Sequence, residues 1–135
     1  MSVYCHVAIG AALGAVAPSP GAALVLGAAA HVPADLLSHH DFNRAVELLL
    51  AAAALFLYTW LGDFRLAIIL GAIGGAAPDI ENLILGRRGG TPRRFFPSHA
   101  DFLRHGGARG RWDPAVQLGV AAVMAAWVVW APGFW

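Results

Sequence analysis

The sequence predicts an all-α protein, a polytopic membrane bundle of about five helices, and three observations carry that prediction. Hydrophobic residues make up 59% of the 135-residue chain and charged residues 13%, against roughly 45–50% and about 25% in an average soluble domain. A chain this short has too much surface to cover with so few charges, whereas lipid solvates the apolar excess. Five stretches, at about 3–17, 22–40, 46–61, 65–85 and 115–131, are apolar nearly all round, as suits helices of a bundle or a membrane. Charge is also one-sided: there is no Lys, and seven of the nine Arg lie between Arg87 and Arg111.

Taken in order, the first stretch follows Met1-Ser2-Val3-Tyr4-Cys5-His6, which lacks a basic n-region, so no cleaved signal peptide is expected. A span perpendicular to the bilayer needs about 20 residues, with a usual range of ~17–25. The third and fifth stretches meet the lower bound and the first falls slightly short. The second and fourth reach span length only by continuing through Pro33 and Pro78, where kinked or restarted helices are expected. Gly10-xxx-Gly14 and Gly71-xxx-Gly75 are small-residue patterns that let helix backbones approach closely. The single cysteine, Cys5, excludes an internal disulfide.

A weak internal repeat has an offset of 44 residues. It aligns Leu26-Gly27-Ala28-Ala29 with Leu70-Gly71-Ala72-Ile73, and Asp35 then falls on Asp79. Residues 1–44 and 45–88 read as two parallel helical hairpins, followed by a basic loop at 86–113 and a last helix at 114–131, all in one membrane domain. Chance similarity between Ala/Gly-rich helices is the alternative. Counting crossings puts the turns at 18–21 and 62–64 on one face. The N-terminus, the 38–45 connection and the basic loop lie on the other, which Arg enrichment assigns to the cytoplasm. Trp127, Trp130 and Trp135 would meet the far interface. On this topology the chain is a multi-pass inner-membrane protein. Its six histidines, with Asp35, Asp41, Asp79, Glu81 and Asp101, share the cytoplasmic half.

Those residues are the candidates for chemistry. His31, Asp35 and His39 are spaced i, i+4, i+8, which on a continuous helix shares one face and can ligate a divalent metal. A kink at Pro33 would turn His31 away from that face, and Asp35 would then only cap a restarted helix. Asp79 ends the uncharged run Leu66–Pro78, where an ionisable residue is costly unless it meets a cavity, a partner or a metal; an N-cap at the membrane surface is the plainer alternative. Bringing Asp35 and Asp79 together would create repulsion that a metal or a shared proton must relieve. His6 lies on the same side. His99, in Arg93-Arg94-Phe95-Phe96-Pro97-Ser98-His99, could reach back to complete a metal sphere, and a short interfacial helix is expected near 98–105. Arg93 and Arg94 could hold a lipid or substrate phosphate, although a topology-setting loop accounts for them more simply. No P-loop, nucleophile elbow or Cys-x-x-Cys is present, and no nucleic-acid partner is expected.

The run His6-Val7-Ala8-Ile9-Gly10, then Ala77-Pro78-Asp79-Ile80-Glu81, then Pro97-Ser98-His99 resembles the predicted membrane-bound metal-dependent hydrolases related to the YdjM proteins, over roughly residues 4–105. That family's second motif is like Leu-Pro-Asp-Ile-Asp, where this chain has Glu81. Its third is like His-Arg followed by Thr-His-Ser, of which only the His99 region remains. The resemblance implies His6, Asp79 and His99 as metal or catalytic residues. Three hypotheses follow. The first is a membrane hydrolase acting on a phosphoester or amphiphile, with a zinc or manganese centre, Glu81 or a histidine as general base and Arg93 or Arg94 on phosphate. The second is a non-catalytic accessory or scaffold subunit of a larger membrane complex, its metal site structural or vestigial; other membrane subunits or a second copy of the chain are the expected protein partners. The third, a small carrier or channel, is disfavoured by the scarcity of intramembrane charge.

Overall fold

A computed structural model of the chain describes residues 2–36, 42–85 and 113–131, with the backbone alone for 81–85 and Asp113. Five α-helices and no strand occur among the described residues: α1 Val3–Gly14, α2 Pro20–Asp35, α3 Arg44–Leu61, α4 Leu66–Leu85 and α5 Asp113–Trp130. The expected elements are all present, with shifted bounds. The first helix stops at Gly14 and the second at Asp35, each short of the apolar stretch that predicts it.

Local chemistry sets several of these ends. Ser19 accepts a bond from the Ala22 amide at 3.2 Å, and Pro20 occupies the first turn of α2, where its missing N–H costs nothing. Asn43 accepts from the Val46 amide at 3.1 Å and opens α3. The α3–α4 turn takes two consecutive residues, Asp63 and Phe64, into the left-handed region (φ 51° and 58°). Arg65 follows them, its Nε donating to the Gly62 carbonyl and its Nη2 to that of Val128. Pro33 and Pro78 both lie inside their helices. Neither ends one, so of the two expectations the restart is not met and each helix runs on through its proline.

The most buried helix is also the shortest. α1 packs against all four others, while α4 lies against α1, α2 and α3, and α5 against α1 and α3. The seam is built from glycine. A Cβ at Gly10 would lie 2.1 Å from the Gly71 carbonyl oxygen, one at Gly14 2.3 Å from that of Ala67, and one at Gly27 2.3 Å from that of Gly71. No side chain fits between these backbones, so helices α1, α2 and α4 meet at a separation only glycine permits. Gly119 in α5 is different: nothing lies within 4 Å of a Cβ placed there. Gly119→Ala should therefore gain helix propensity without a clash. An increase in unfolding free energy of ~0.5–1 kcal/mol is expected in a thermal or denaturant melt.

Polar bonds fix which helix ends lie together. The Ser2 amide donates to Gln117 Oε1 at 3.0 Å, and Ser2 Oγ donates to both oxygens of Glu47 at 2.7 and 2.8 Å. The starts of α1, α3 and α5 thus share one end of the bundle. α2 and α4 run the other way and finish there. At the opposite end Arg65 reaches Val128, and midway the Tyr58 hydroxyl donates to the Ala121 carbonyl.

The outer surface is apolar. Leu49 and Phe56 on α3 are each 70% exposed, and Trp130 on α5 is 83% exposed. Among the described residues one helix, α3, is long and apolar enough to cross a membrane; the apolar parts of α1, α4 and α5 are shorter. At 1.5 Å per residue α3 spans about 27 Å, close to the ~30 Å of a bilayer's hydrocarbon core.

A candidate metal centre where three glycine ladders end

Each of the three seam helices carries a four-residue ladder that ends in a polar side chain. On α1 it runs Gly14, Gly10, His6; on α2, Gly27, His31, Asp35; on α4, Gly71, Gly75, Asp79. Residues four apart lie on one face of a helix. The glycines bring the three backbones together, and the next turn of each helix must then bring these side chains together at the shared end. Pro33 does not turn His31 aside, since His31 and Asp35 remain in contact.

The four groups form one buried cluster. His6 Nε2 lies 3.1 Å from Asp35 Oδ1, and His31 Nε2 lies 3.1 Å from Asp35 Oδ2 and 3.7 Å from Asp79 Oδ1. The imidazoles stack, with ring centroids 3.7 Å apart and planes 20° from parallel. His6 and His31 are each 1% exposed and Asp35 3%, while the Asp79 side chain keeps 19% exposure. Solvent therefore meets the cluster on the Asp79 side.

A backbone contact settles one proton. His31 Nδ1 lies 2.8 Å from the Gly75 carbonyl oxygen, which can only accept, so Nδ1 carries the hydrogen and donates it. In a neutral ring the lone pair then belongs to Nε2, the nitrogen facing two carboxylates. Three acceptors this close need a proton or a metal cation among them. Fixing one imidazole nitrogen on a backbone carbonyl is how metal-bound histidines are commonly oriented.

No protein-family model, curated protein or solved structure matches the chain. The site must be read from its own geometry. His6, His31 and Asp79 offer ligand atoms that all lie within 4.8 Å of one another, a group able to hold a metal ion. Imidazole nitrogen with carboxylate oxygen is the donor set of zinc, manganese and iron sites. Asp35 lies against both rings and completes a set of two nitrogens and two carboxylates. The residues present fit a divalent metal.

Of the residues singled out from the sequence, His6, His31, Asp35 and Asp79 are brought together here. Asp79 does not cap a helix, because α4 continues to Leu85. Nor does Asp35 open one; it is the last residue of α2. His39, Arg93, Arg94 and His99 lie outside the described residues, as do the Glu81 side chain, the whole 86–112 segment and Trp135.

Three participants escaped the sequence reading. The Gly75 carbonyl orients His31. Glu47 accepts from Ser2 Oγ, from the Val3 amide at 3.0 Å and from the Phe42 amide at 2.9 Å, tying the start of the His6 helix to the segment before α3. Gln117, fully buried, holds the Ser2 amide. An acid in the first turn of a helix ordinarily reads as a partner of its own helix dipole. A bond to another helix leaves no mark in the local pattern.

Proposed function

We propose that this chain is an integral-membrane, metal-dependent hydrolase whose centre is the His6–His31–Asp35–Asp79 cluster, acting on a phosphoester or other amphiphile at the cytoplasmic face. The observation that carries the reading is His31: its Nδ1 is held by a backbone carbonyl, and its Nε2 looks at two carboxylates across 3.1 and 3.7 Å. Burying two carboxylates beside each other is costly without a cation to balance them. The resemblance to the YdjM-related hydrolases supports the same assignment, as it includes His6 and Asp79.

The membrane part of the reading rests on the outer surface. α3 carries no charge from Leu48 to Leu61, α5 none after Asp113 and α4 none from Leu66 to Pro78. An exposed apolar surface of this extent is uncommon on a soluble monomer. α1, only 12 residues long, sits inside the bundle and need not match the bilayer by itself. The cytoplasmic, multi-pass orientation follows from the arginines at 87–111.

A bound zinc or manganese ion would polarise a phosphoryl or carbonyl oxygen and lower the pKa of coordinated water toward ~7. Within the chain, His6 and His31 would supply nitrogen and Asp79 oxygen, and the Gly75 carbonyl would hold the His31 ring in its ligating tautomer. Asp79, on the solvent side, marks where substrate approaches. Glu81 and His99 are the proposed proton-transfer groups, and Arg93 and Arg94 the proposed phosphate contacts.

The test uses the full chain purified in detergent. We expect alkaline carbonate to leave it in the membrane pellet. Bound zinc or manganese should be detectable by elemental analysis, and bis(p-nitrophenyl) phosphate should be hydrolysed in a chelator-sensitive way. Asp79→Ala should lose both metal and hydrolysis. Metal without hydrolysis, together with stable co-purification of other membrane subunits, would point to the accessory-subunit reading. Absence of metal from the wild-type chain would defeat both the hydrolase and the metal centre.

A further inference from the structure

The His6 and His31 rings are stacked, and that restricts how they can bind metal. A ligating nitrogen directs its lone pair within the ring plane, and the metal sits close to that plane at ~2.0–2.1 Å. The ring centroids are 3.7 Å apart and the planes only 20° from parallel, so the planes do not cross near the ligating nitrogens. One ion shared by both rings would require at least one of them to turn out of the stack. Each nitrogen instead lies against a different oxygen of one carboxylate: His6 Nε2 beside Asp35 Oδ1 and His31 Nε2 beside Asp35 Oδ2, each at 3.1 Å. A nitrogen and an oxygen on the same tetrahedral metal are separated by about 3.3 Å, so each pair has the spacing of two ligands sharing one ion.

From this geometry we infer that the cluster is a dinuclear centre, with Asp35 as the bridging carboxylate. One ion is held by His6 and Asp35 Oδ1. The other is held by His31, Asp35 Oδ2 and Asp79. The inference rests on the metal-centre reading above and narrows its substrate class to phosphoesters, whose attacking and leaving oxygens a pair of ions can hold on opposite sides.

Manganese alone is the probe. The full chain in detergent is loaded with Mn(II), freed of excess, and examined by elemental analysis and electron paramagnetic resonance. Two ions per chain with an exchange-coupled spectrum are expected. Asp35→Asn, which removes the anionic bridge, should bind no more than one ion and show only the six-line signal of isolated Mn(II). One ion per chain in the wild type, or two without coupling, overturns the dinuclear assignment and leaves the single-metal reading standing. No bound ion overturns both. Should Asp35→Asn fail to fold, the wild-type stoichiometry and coupling decide the matter alone.

Discussion

Replacing Gly75 by valine is expected to lower the stability of the bundle by ~3 kcal/mol or more and to abolish metal binding at the same time. A Cβ at this position would lie 2.1 Å from the His6 carbonyl oxygen and 2.9 Å from its carbonyl carbon. Both atoms are backbone, so no rotamer change can relieve the contact, and α1 must move away from α4. Overpacking a tight interior usually costs ~1–3 kcal/mol and sometimes more. A rigid partner and a branched side chain put this case at the upper end. His6 is carried by the displaced backbone, and the Gly75 carbonyl is the acceptor that orients His31. Both imidazoles would therefore leave their positions. Melting by circular dichroism in detergent should show a fall of about 8 °C or more, with Gly119→Ala as the glycine substitution that does no harm. A Gly75→Val protein that melts with the wild type would mean the three backbones are not in contact, and the convergence of the ladders would go with it.

Removal of the Glu47 carboxylate should have the next largest effect. Its two oxygens accept from the Ser2 hydroxyl, the Val3 amide and the Phe42 amide. α1 has no side-chain cap of its own, so Glu47 caps it from another helix. Glu47→Ala takes the acceptor from three donors, each worth ~1–3 kcal/mol when buried and less where water can reach. A loss of ~3 kcal/mol is expected for these part-buried groups. The first turn of α1 would fray, and His6 is bonded through its amide to Ser2 in that turn at 3.4 Å. Removing support of this kind from a metal ligand typically lowers affinity ~10–100-fold. Metal titration of Glu47→Ala beside Glu47→Gln separates the effects, because glutamine keeps one acceptor oxygen and should recover part of both. Unchanged stability and affinity in the alanine variant would show that the start of α1 is held by other means.

The helices were legible because composition and period report local structure. Apolar stretches of helical length, and Gly10-xxx-Gly14 and Gly71-xxx-Gly75, all have physical meaning within a few residues of themselves; the caps at Ser19 and Asn43 were not singled out. His31 and Asp35, four apart on one helix, could be paired by the same logic. Pro33 was harder. A proline lowers the chance that a helix continues, but the packing of α2 against α1 and α4 keeps this one intact.

What the sequence by itself determined is a helical, apolar chain with its ionisable groups weighted toward alternate helix ends. Hydrophobicity and four-residue spacing are properties of the chain alone. Only the tertiary structure decided that His6, His31, Asp35 and Asp79 meet, that Asp35 contacts both rings, and that Glu47 serves a different helix's first turn. Those facts depend on three backbones approaching within glycine contact, between residues 44 to 69 apart in sequence. Spacing along one helix fixes the direction of a side chain; which neighbour it finds there is fixed by packing.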